Sequence, residues 1–215
     1  DLNEKLQLNI IEPACSPHEV NLVLVKKHDG TVRACCDYRA LNAVTKRDTY
    51  PLPRMDHCLD ALGGKNAWFS TLDLLSGYHQ VEMEPKDRDK TTFICHRGSF
   101  RFVTMPMGLM NAGATFQRLM DLVMSGLLYD ACLVYLDDII VFSPDLKEHL
   151  VRLERVLERL VTHGLKLKPS KCKLMQKRVS FLGHIVSGDG VEVDPEKTEA
   201  INSWDTPRSV KEVRS

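Results

Sequence analysis

Residues 134–143, VYLDDIIVFS, set two adjacent aspartates between two runs of apolar and β-branched residues. Val134, Tyr135 and Leu136 read as the end of one strand and Ile139 to Phe142 as the start of the next, so Asp137 and Asp138 fall at a hairpin bend. A two-residue hairpin turn favours Asn-Gly or Asp-Gly, because its central residues take up positive φ cheaply only when one is glycine. Asp-Asp meets that need poorly. Two carboxylates held close together also repel, so one takes up a proton or a positive charge sits between them. A divalent cation satisfies that requirement. An isolated Asp-Asp pair is most simply a solvated acidic turn. Here the apolar runs bury the approaches to the bend and leave the carboxylates projecting from a rigid scaffold, which favours a functional role.

The 215 residues, 43% of them hydrophobic, supply a core for one large domain or two small ones. No apolar run approaches the length of a membrane span, and the N-terminal DLNEKLQLNI lacks the basic-then-apolar pattern of a signal sequence. Seven cysteines with no C-x-x-C pair suggest neither a disulfide framework nor a zinc site. Reduced thiols in an intracellular setting are the expectation. A formal net charge of zero excludes a uniformly basic surface but leaves room for a local basic groove.

Along the chain, a hairpin is expected between roughly residues 20 and 37, its tip carrying Lys26, Lys27, His28 and Arg33. Pro51 and Pro53 precede a short helix that Gly63 and Gly64 end. WFSTLDLLSGYHQVEM places Asp73 at the end of a strand, before a Ser-Gly break. TTFICHRGSFRFVTMPMG reads as a second hairpin with Arg97-Gly98-Ser99 as its turn. From Ala114, helical spacing of Phe116, Leu119, Met120, Val123 and Met124 predicts a helix packed on the strands that carry the aspartates. Ser143 or Asp145 caps a further helix whose Leu146, Leu150, Leu153, Leu157 and Leu160 form a stripe, stopped at Gly164. The stripe is too short for a coiled coil, so core packing is expected. The basic run KLKPSKCKLMQKR leads into a strand, VSFLGHIVS, and the polar remainder has helical fragments that stop in mid-pattern.

Asp73 at a strand end, with Asp137 and Asp138 at a bend in the same apparent sheet, brings three carboxylates to one sheet edge. Oxygen-only ligands suit Mg²⁺, which binds one or two carboxylates together with water and substrate phosphates. The pattern points to phosphoryl or nucleotidyl transfer, with the basic hairpin tip gripping a triphosphate.

Taken in order, VKKHDGTVRACCDYRALNAVTKRDTYPLPRMD, FSTLDLLSGYHQV, FRFVTMPMGLMNAGATFQRLM, VYLDDIIVFS, HLVRLERVLERL, GLKLKPSKCKL and VSFLGHIVSGDGV resemble the reverse transcriptases of gypsy-like LTR retrotransposons and related retroviral polymerases. The resemblance covers nearly the whole chain. It implies an α+β right-hand polymerase with an antiparallel palm sheet packed on helices. The fingers would take about residues 1–65 and 84–104, the palm 66–83 and 105–187, and the start of the thumb 188–215. It further implies an RNA-directed DNA polymerase that adds dNTPs to a primer 3′-hydroxyl with two Mg²⁺ ions, for which Mn²⁺ substitutes. The implied partners are an RNA or DNA template with its primer and no membrane. The implied setting is a Pol polyprotein with protease, RNase H and integrase regions, inside the cell in cytoplasmic virus-like particles with access to the nucleus.

Carried over by position, Asp73, Asp137 and Asp138 match the catalytic metal-binding triad, with Asp73 and Asp137 as principal ligands. Leu74 and Leu75 match residues whose backbone serves the second ion and the triphosphate. Lys27 and Arg33 match the pair that clamps the β- and γ-phosphates under a closing lid. Tyr78 matches the residue that selects dNTPs by clashing with a 2′-hydroxyl, and Met107 the one beneath the incoming sugar and base. Phe116 and Gln117 begin the helix behind it, Phe116 as packing; Lys171 and Lys173 reach the nucleotide or the pyrophosphate path. Phe181, Leu182, Gly183 and His184 resemble the primer grip, a core strand with a surface histidine being the other reading.

The chain departs from the family at Leu75, where a basic residue is common, at Met110, where a polar or basic one is, and at Gly113, often Pro. Leu75 and Met110 would weaken a groove that holds nucleic acid by phosphate electrostatics. These departures sustain an alternative: a domesticated or decayed copy that binds nucleic acid or a protein partner without catalysis. A metal-dependent nuclease fits the carboxylates but not the fingers and Tyr78 motifs.

Overall fold

The structure is a computed structural model that describes residues 2–26, 30 and 32–195. Helix α1 (Leu2–Gln7) and strand β1 (Ile11–Pro13) lead into the expected hairpin of β2 (Val20–Lys26) and β3 (Val32–Cys36), in register from Leu22↔Cys36 to Lys26↔Val32. Helices α2 (Arg39–Val44) and α3 (Met55–Leu62) follow, α3 lying between Pro53 and Gly63 as the punctuation predicts. Strand β4 (Trp68–Asp73) ends on Asp73. Strands β5 (Phe93–Cys95) and β6 (Gly98–Phe102) form the second hairpin, but Cys95 pairs with Gly98, so the turn is His96-Arg97 rather than Arg97-Gly98-Ser99. Gly98, at φ +119°, is the residue that re-enters the strand.

Helix α4 (Ala112–Val123) begins two residues before the predicted Ala114. It is followed by β7 (Cys132–Tyr135), β8 (Asp138–Ser143), α5 (Leu146–Thr162), β9 (Lys173–Gln176), β10 (Arg178–Phe181), β11 (His184–Ser187) and β12 (Gly190–Val193). The stretch VSFLGHIVS is therefore not one strand but a hairpin: Leu182 (φ +49°) and Gly183 (φ +76°) reverse the chain and pair Phe181 with His184. Lys27 and residues 196–215, most of the expected thumb start, lie outside the described residues, as does the side chain of Arg33.

The strands form a five-stranded sheet (β1-β6-β5-β2-β3, with β2 and β5 parallel), an antiparallel four-stranded sheet (β7-β8-β4-β9) and a three-stranded sheet (β10-β11-β12). The four-stranded sheet is covered on both faces. Leu72, Val134, Ile139 and Val141 pack with Phe116, Met120 and Val123 of α4 and Leu153, Val156 and Leu160 of α5. Phe69, Leu133, Ile140 and Phe142 face the opposite way, onto Cys58 and Leu62 of α3 and Val179, Phe181 and Val186 of the third sheet. Double burial explains why the flanks of the aspartates read as unbroken apolar runs rather than as an alternation.

Helix α5 departs from its leucine stripe. It buries His149, Leu153, Val156 and Leu160, while Leu146 and Leu150 stay 40% and 49% exposed. His149 belongs to the core face because two buried hydroxyls receive it: Ser70 Oγ lies 2.7 Å from Nε2 and Ser143 Oγ 3.0 Å from Nδ1. Ser143 is thereby engaged, and Asp145 is the cap, its carboxylate accepting from the Glu148 N–H at 2.9 Å. All seven cysteines are free. Among the described residues no helix is long and apolar enough to cross a membrane.

Candidate active site

The site forms where the doubly covered sheet runs out. Asp73 closes β4 and Asp138 opens β8, and the two are direct partners across the antiparallel ladder, so both side chains leave the same face. Tyr135 pairs with Asp138, which makes Leu136 and Asp137 the turn, one residue earlier than an Asp-Asp bend. The positive φ belongs to Leu136, at +55°. Holding a leucine there costs roughly 1–2 kcal/mol. Part of that is offset by the buried Gln117 of α4, whose Oε1 accepts the Leu136 N–H at 2.8 Å. Its Nε2 donates to the Val134 carbonyl at 3.3 Å and to Asp121 Oδ1 at 2.8 Å.

The chain beyond β4 wraps closely under this turn. A Cβ on Gly77 would lie 2.9 Å from Phe116 Cζ and 3.3 Å from the Asp137 Cβ, so any side chain here would have to displace one of them. Tyr78 stands edge-on to the buried Phe116, with ring centroids 5.3 Å apart at 84°. The bridge between Leu74 and Leu167 is closed by flanking groups, Lys168 N–H to the Asp73 carbonyl and Leu75 N–H to the Lys166 carbonyl, both at 2.9 Å. Leu74 thus keeps its own carbonyl outside that bridge. Both backbone groups of Leu75 have partners within the chain. Its N–H is bound by Lys166 and its carbonyl by Gln80 Nε2, so it meets the cleft through its side chain.

Asp73, Leu74, Leu75, Met107, Asp137 and Lys171 line one cleft of ≈ 480 Å³, and Ala34, Cys35 and Cys36 of β3 supply another part of its wall. A smaller cavity of ≈ 250 Å³ lies beside it, bounded by Asp73, Asp138, Lys171, Lys173, Phe181 and Leu182. Asp73 and Lys171 border both spaces, Asp137 the first and Asp138 the second. Lys171 Nζ lies 3.0 Å from Asp73 Oδ2. The Asp138 carboxyl is pushed above its ordinary value, first by desolvation, then by the charges of Asp137 and Asp73, with Lys171 opposing.

These observations fit a hard cation. The donors are oxygens, their mutual repulsion calls for positive charge, and a lysine ammonium already lies on one of them. Among the described residues no three His, Cys, Asp or Glu side chains form a ready-made cage. A Mg²⁺ ion here would take one or two carboxylates and complete its shell with water and substrate oxygens.

Of the other expected site residues, Met107 is exposed in the cleft. Phe181 is buried, Leu182 and Gly183 form the turn beside Asp138, and half-buried His184 hydrogen-bonds the Leu182 carbonyl at 3.1 Å. Arg33 lies on β3 opposite Val25. Sequence reasoning passed over Ser76 in the cleft wall, the close fit of Gly77, and the grip of Gln117 on the turn. The available signal for Gln117 was an amide on the face of α4 otherwise occupied by Phe116 and Met120.

Residues 25–186 match the reverse transcriptase (RNA-dependent DNA polymerase) family. The chain belongs to that family. This reverse transcriptase domain is 42% identical over 219 residues to the retrovirus-related Pol polyprotein from transposon 297 of Drosophila melanogaster, using 100% of this chain and 21% of that one. To the Pol polyprotein from transposon gypsy of the same organism it is 37% identical over 221 residues, with the same coverage. It is thus a reverse transcriptase domain of the gypsy-like retrotransposon type, and it spans about a fifth of the length of these curated relatives. The foamy viral protease-reverse transcriptase dRH in complex with ds DNA shares its fold, with a TM-score of 0.90 at 24% identity over 99% of this chain and 37% of that one.

Proposed function

We propose that this domain performs RNA-directed DNA synthesis, adding dNMP units to a primer 3′-hydroxyl, and that its five-stranded sheet is the fingers and its four-stranded sheet the palm of a right-hand polymerase. The observation that carries the reading is the shared cleft of Asp73 and Asp137, with Lys171 on Asp73 and Met107 and β3 in its walls. Asp73, Asp137 and the Leu74 carbonyl would hold two Mg²⁺ ions, or Mn²⁺ in their place, with Asp138 beside them. The bound ions supply activation of the attacking hydroxyl and neutralisation of the leaving pyrophosphate.

The chain's own groups do the rest. Lys171 offers a cation to the triphosphate from a loop already anchored at Asp73. Lys27 and Arg33 close from the fingers hairpin on the β- and γ-phosphates. Tyr78, braced by Phe116, excludes a 2′-hydroxyl, and Met107 supports the sugar and base. The β10–β11 turn, Phe181 to His184, lies next to Asp138 and steadies the primer end. Template and primer are held by backbone shape and charge, the template supplying sequence by pairing. Solved relatives include foamy viral protease-reverse transcriptases in complex with dsDNA and with RNA/DNA hybrid, which supports both template types. In the polyprotein, protease, RNase H and integrase regions accompany the domain in cytoplasmic particles.

A second reading, nucleic-acid or protein binding without catalysis, draws on Leu75 and Met110, exposed at 45% and 42% where family members often carry polar or basic groups. Primer extension on an RNA template with Mg²⁺ separates the two. The parent chain should incorporate dNTPs and Asp137→Asn should not, with circular dichroism unchanged. Equal incorporation by both would remove Asp137 from the mechanism, and none by the parent would favour the second reading.

A further inference from the structure

The strained turn depends on Gln117, and Gln117 has a second problem of its own. Its amide can lie in either of two orientations of nearly equal shape, and only one presents the oxygen to the Leu136 N–H. The Val134 carbonyl, at 3.3 Å, is a weak discriminator. Asp121 decides: a carboxylate only accepts, so it draws Nε2 toward itself at 2.8 Å and leaves Oε1 for Leu136.

Asp121 is fixed in turn. Its other oxygen accepts the Tyr50 hydroxyl at 2.6 Å, so the carboxylate has one donor on each oxygen. Asp121 raises the pKa of that hydroxyl, which keeps it a donor. Tyr50 ends a strap, residues 46–50, laid along α4. Asn111 Nδ2 donates to the Lys46 carbonyl at 2.8 Å, and Asn111 Oδ1 accepts the Asp48 N–H at 3.0 Å. Arg118 pairs with Asp48 at 2.6 Å, its guanidinium lying 4.7 Å over the Tyr50 ring.

We propose that Asp121 and Tyr50 are positioning residues for the catalytic turn: by setting which way round the Gln117 amide lies, they hold Leu136, and with it Asp137, in place. A continuous hydrogen-bonded path then runs from the strap to the turn, and the docking of residues 46–50 is coupled to the geometry of the site. The mechanistic consequence rests on the polymerase reading above, whereas the structural one does not.

Amide hydrogen exchange of Leu136, measured by NMR on the 215-residue chain, reads the path without any need for catalysis. In Asp121→Ala the Leu136 amide should exchange roughly tenfold faster while Val141, in the same hairpin, is unchanged. Asp121→Asn should recover most of the protection, since its carbonyl can still face Gln117. Tyr50→Phe should lie between, and the double variant Tyr50→Phe/Asp121→Ala should be no worse than Asp121→Ala, because the hydroxyl acts only through the carboxylate. In single-nucleotide incorporation, Asp121→Ala should lower kcat about tenfold with the dNTP KM within about twofold. Unchanged Leu136 exchange, or a loss shared equally by Val141, overturns the proposal. A Leu136 response in a parent chain that incorporates nothing upholds the positioning role and counts against the activity alone.

Discussion

Leu136 occupies a backbone region that leucine avoids, and its neighbours leave it no alternative. Gly77 lets the chain after β4 lie directly beneath the turn, where an added methyl would press on Phe116 and on Asp137. Phe116 is completely buried and has no room to retreat, so the Asp137 side would have to give. Gly77→Ala should therefore lower incorporation by roughly tenfold or more, since sub-ångström displacement of a reacting group is costly. Near-parental activity with an unchanged far-UV spectrum would show that the turn tolerates the shift. The Tyr78 ring stands edge-on against the same phenylalanine, a brace that the proposed exclusion of a 2′-hydroxyl would require. Tyr78→Ala should raise rNTP use relative to dNTP by on the order of tenfold. Competition between the two nucleotides in single-addition assays measures this, and an unaltered ratio would remove Tyr78 from sugar selection.

At the scale of elements, the β4–β8–α5 junction is pinned by the His149 imidazole between Ser70 and Ser143, with Ser70 Oγ also accepting the Met175 N–H at 2.9 Å. Ser143 donates its one proton to the Asp145 carbonyl, so it accepts from Nδ1–H, and Ser70 donates to Nε2. A neutral ring satisfies this arrangement and a charged one does not. Burial lowers the His149 pKa below its ordinary 6.5, and the nearby Arg152 lowers it further. The unfolded chain therefore takes up the proton more readily than the folded one. Stability should hold above about pH 6.5 and fall as pH drops below it toward the depressed folded value. Urea midpoints at about pH 7.5 and about pH 5.5 should show that loss, and His149→Gln should reduce it. An equal pH dependence in the variant would place its origin elsewhere. The leucine spacing of α5 hid this, because helical periodicity identifies an apolar stripe but not which edge of it meets the core.

For the molecule as a whole, zero net charge means that any hold on nucleic acid is local. Met110 is exposed, and so is Leu75 in the cleft, and on the proposed polymerase reading a cation at either would strengthen phosphate contact. Met110→Lys should tighten binding to an RNA-primer duplex and increase the steepness of log K against log salt by about 0.9. Fluorescence anisotropy across a salt series tests this, and an unchanged slope would place Met110 off the phosphate path. The pairings that assemble the five-stranded sheet, β1 with β6 and β2 with β5, join residues some seventy to ninety positions apart. Nothing local in those strands announces their partners.

Local pattern by itself determined the β2–β3 hairpin, the end of β4 at Asp73, the proline-to-glycine bounds of α3 and the apolar flanks of the aspartates, because each depends on neighbours in sequence. Ordered motifs determined the family. Tertiary structure alone decided that Leu136 rather than an aspartate carries the positive φ, that VSFLGHIVS folds back on itself, and that Lys171 lies on Asp73. It alone decided, too, that Gln117 braces the turn and that His149 belongs to the core. In most of these, a side chain or backbone group is satisfied by a partner distant in sequence, and periodicity does not encode which distant group will be there to satisfy it.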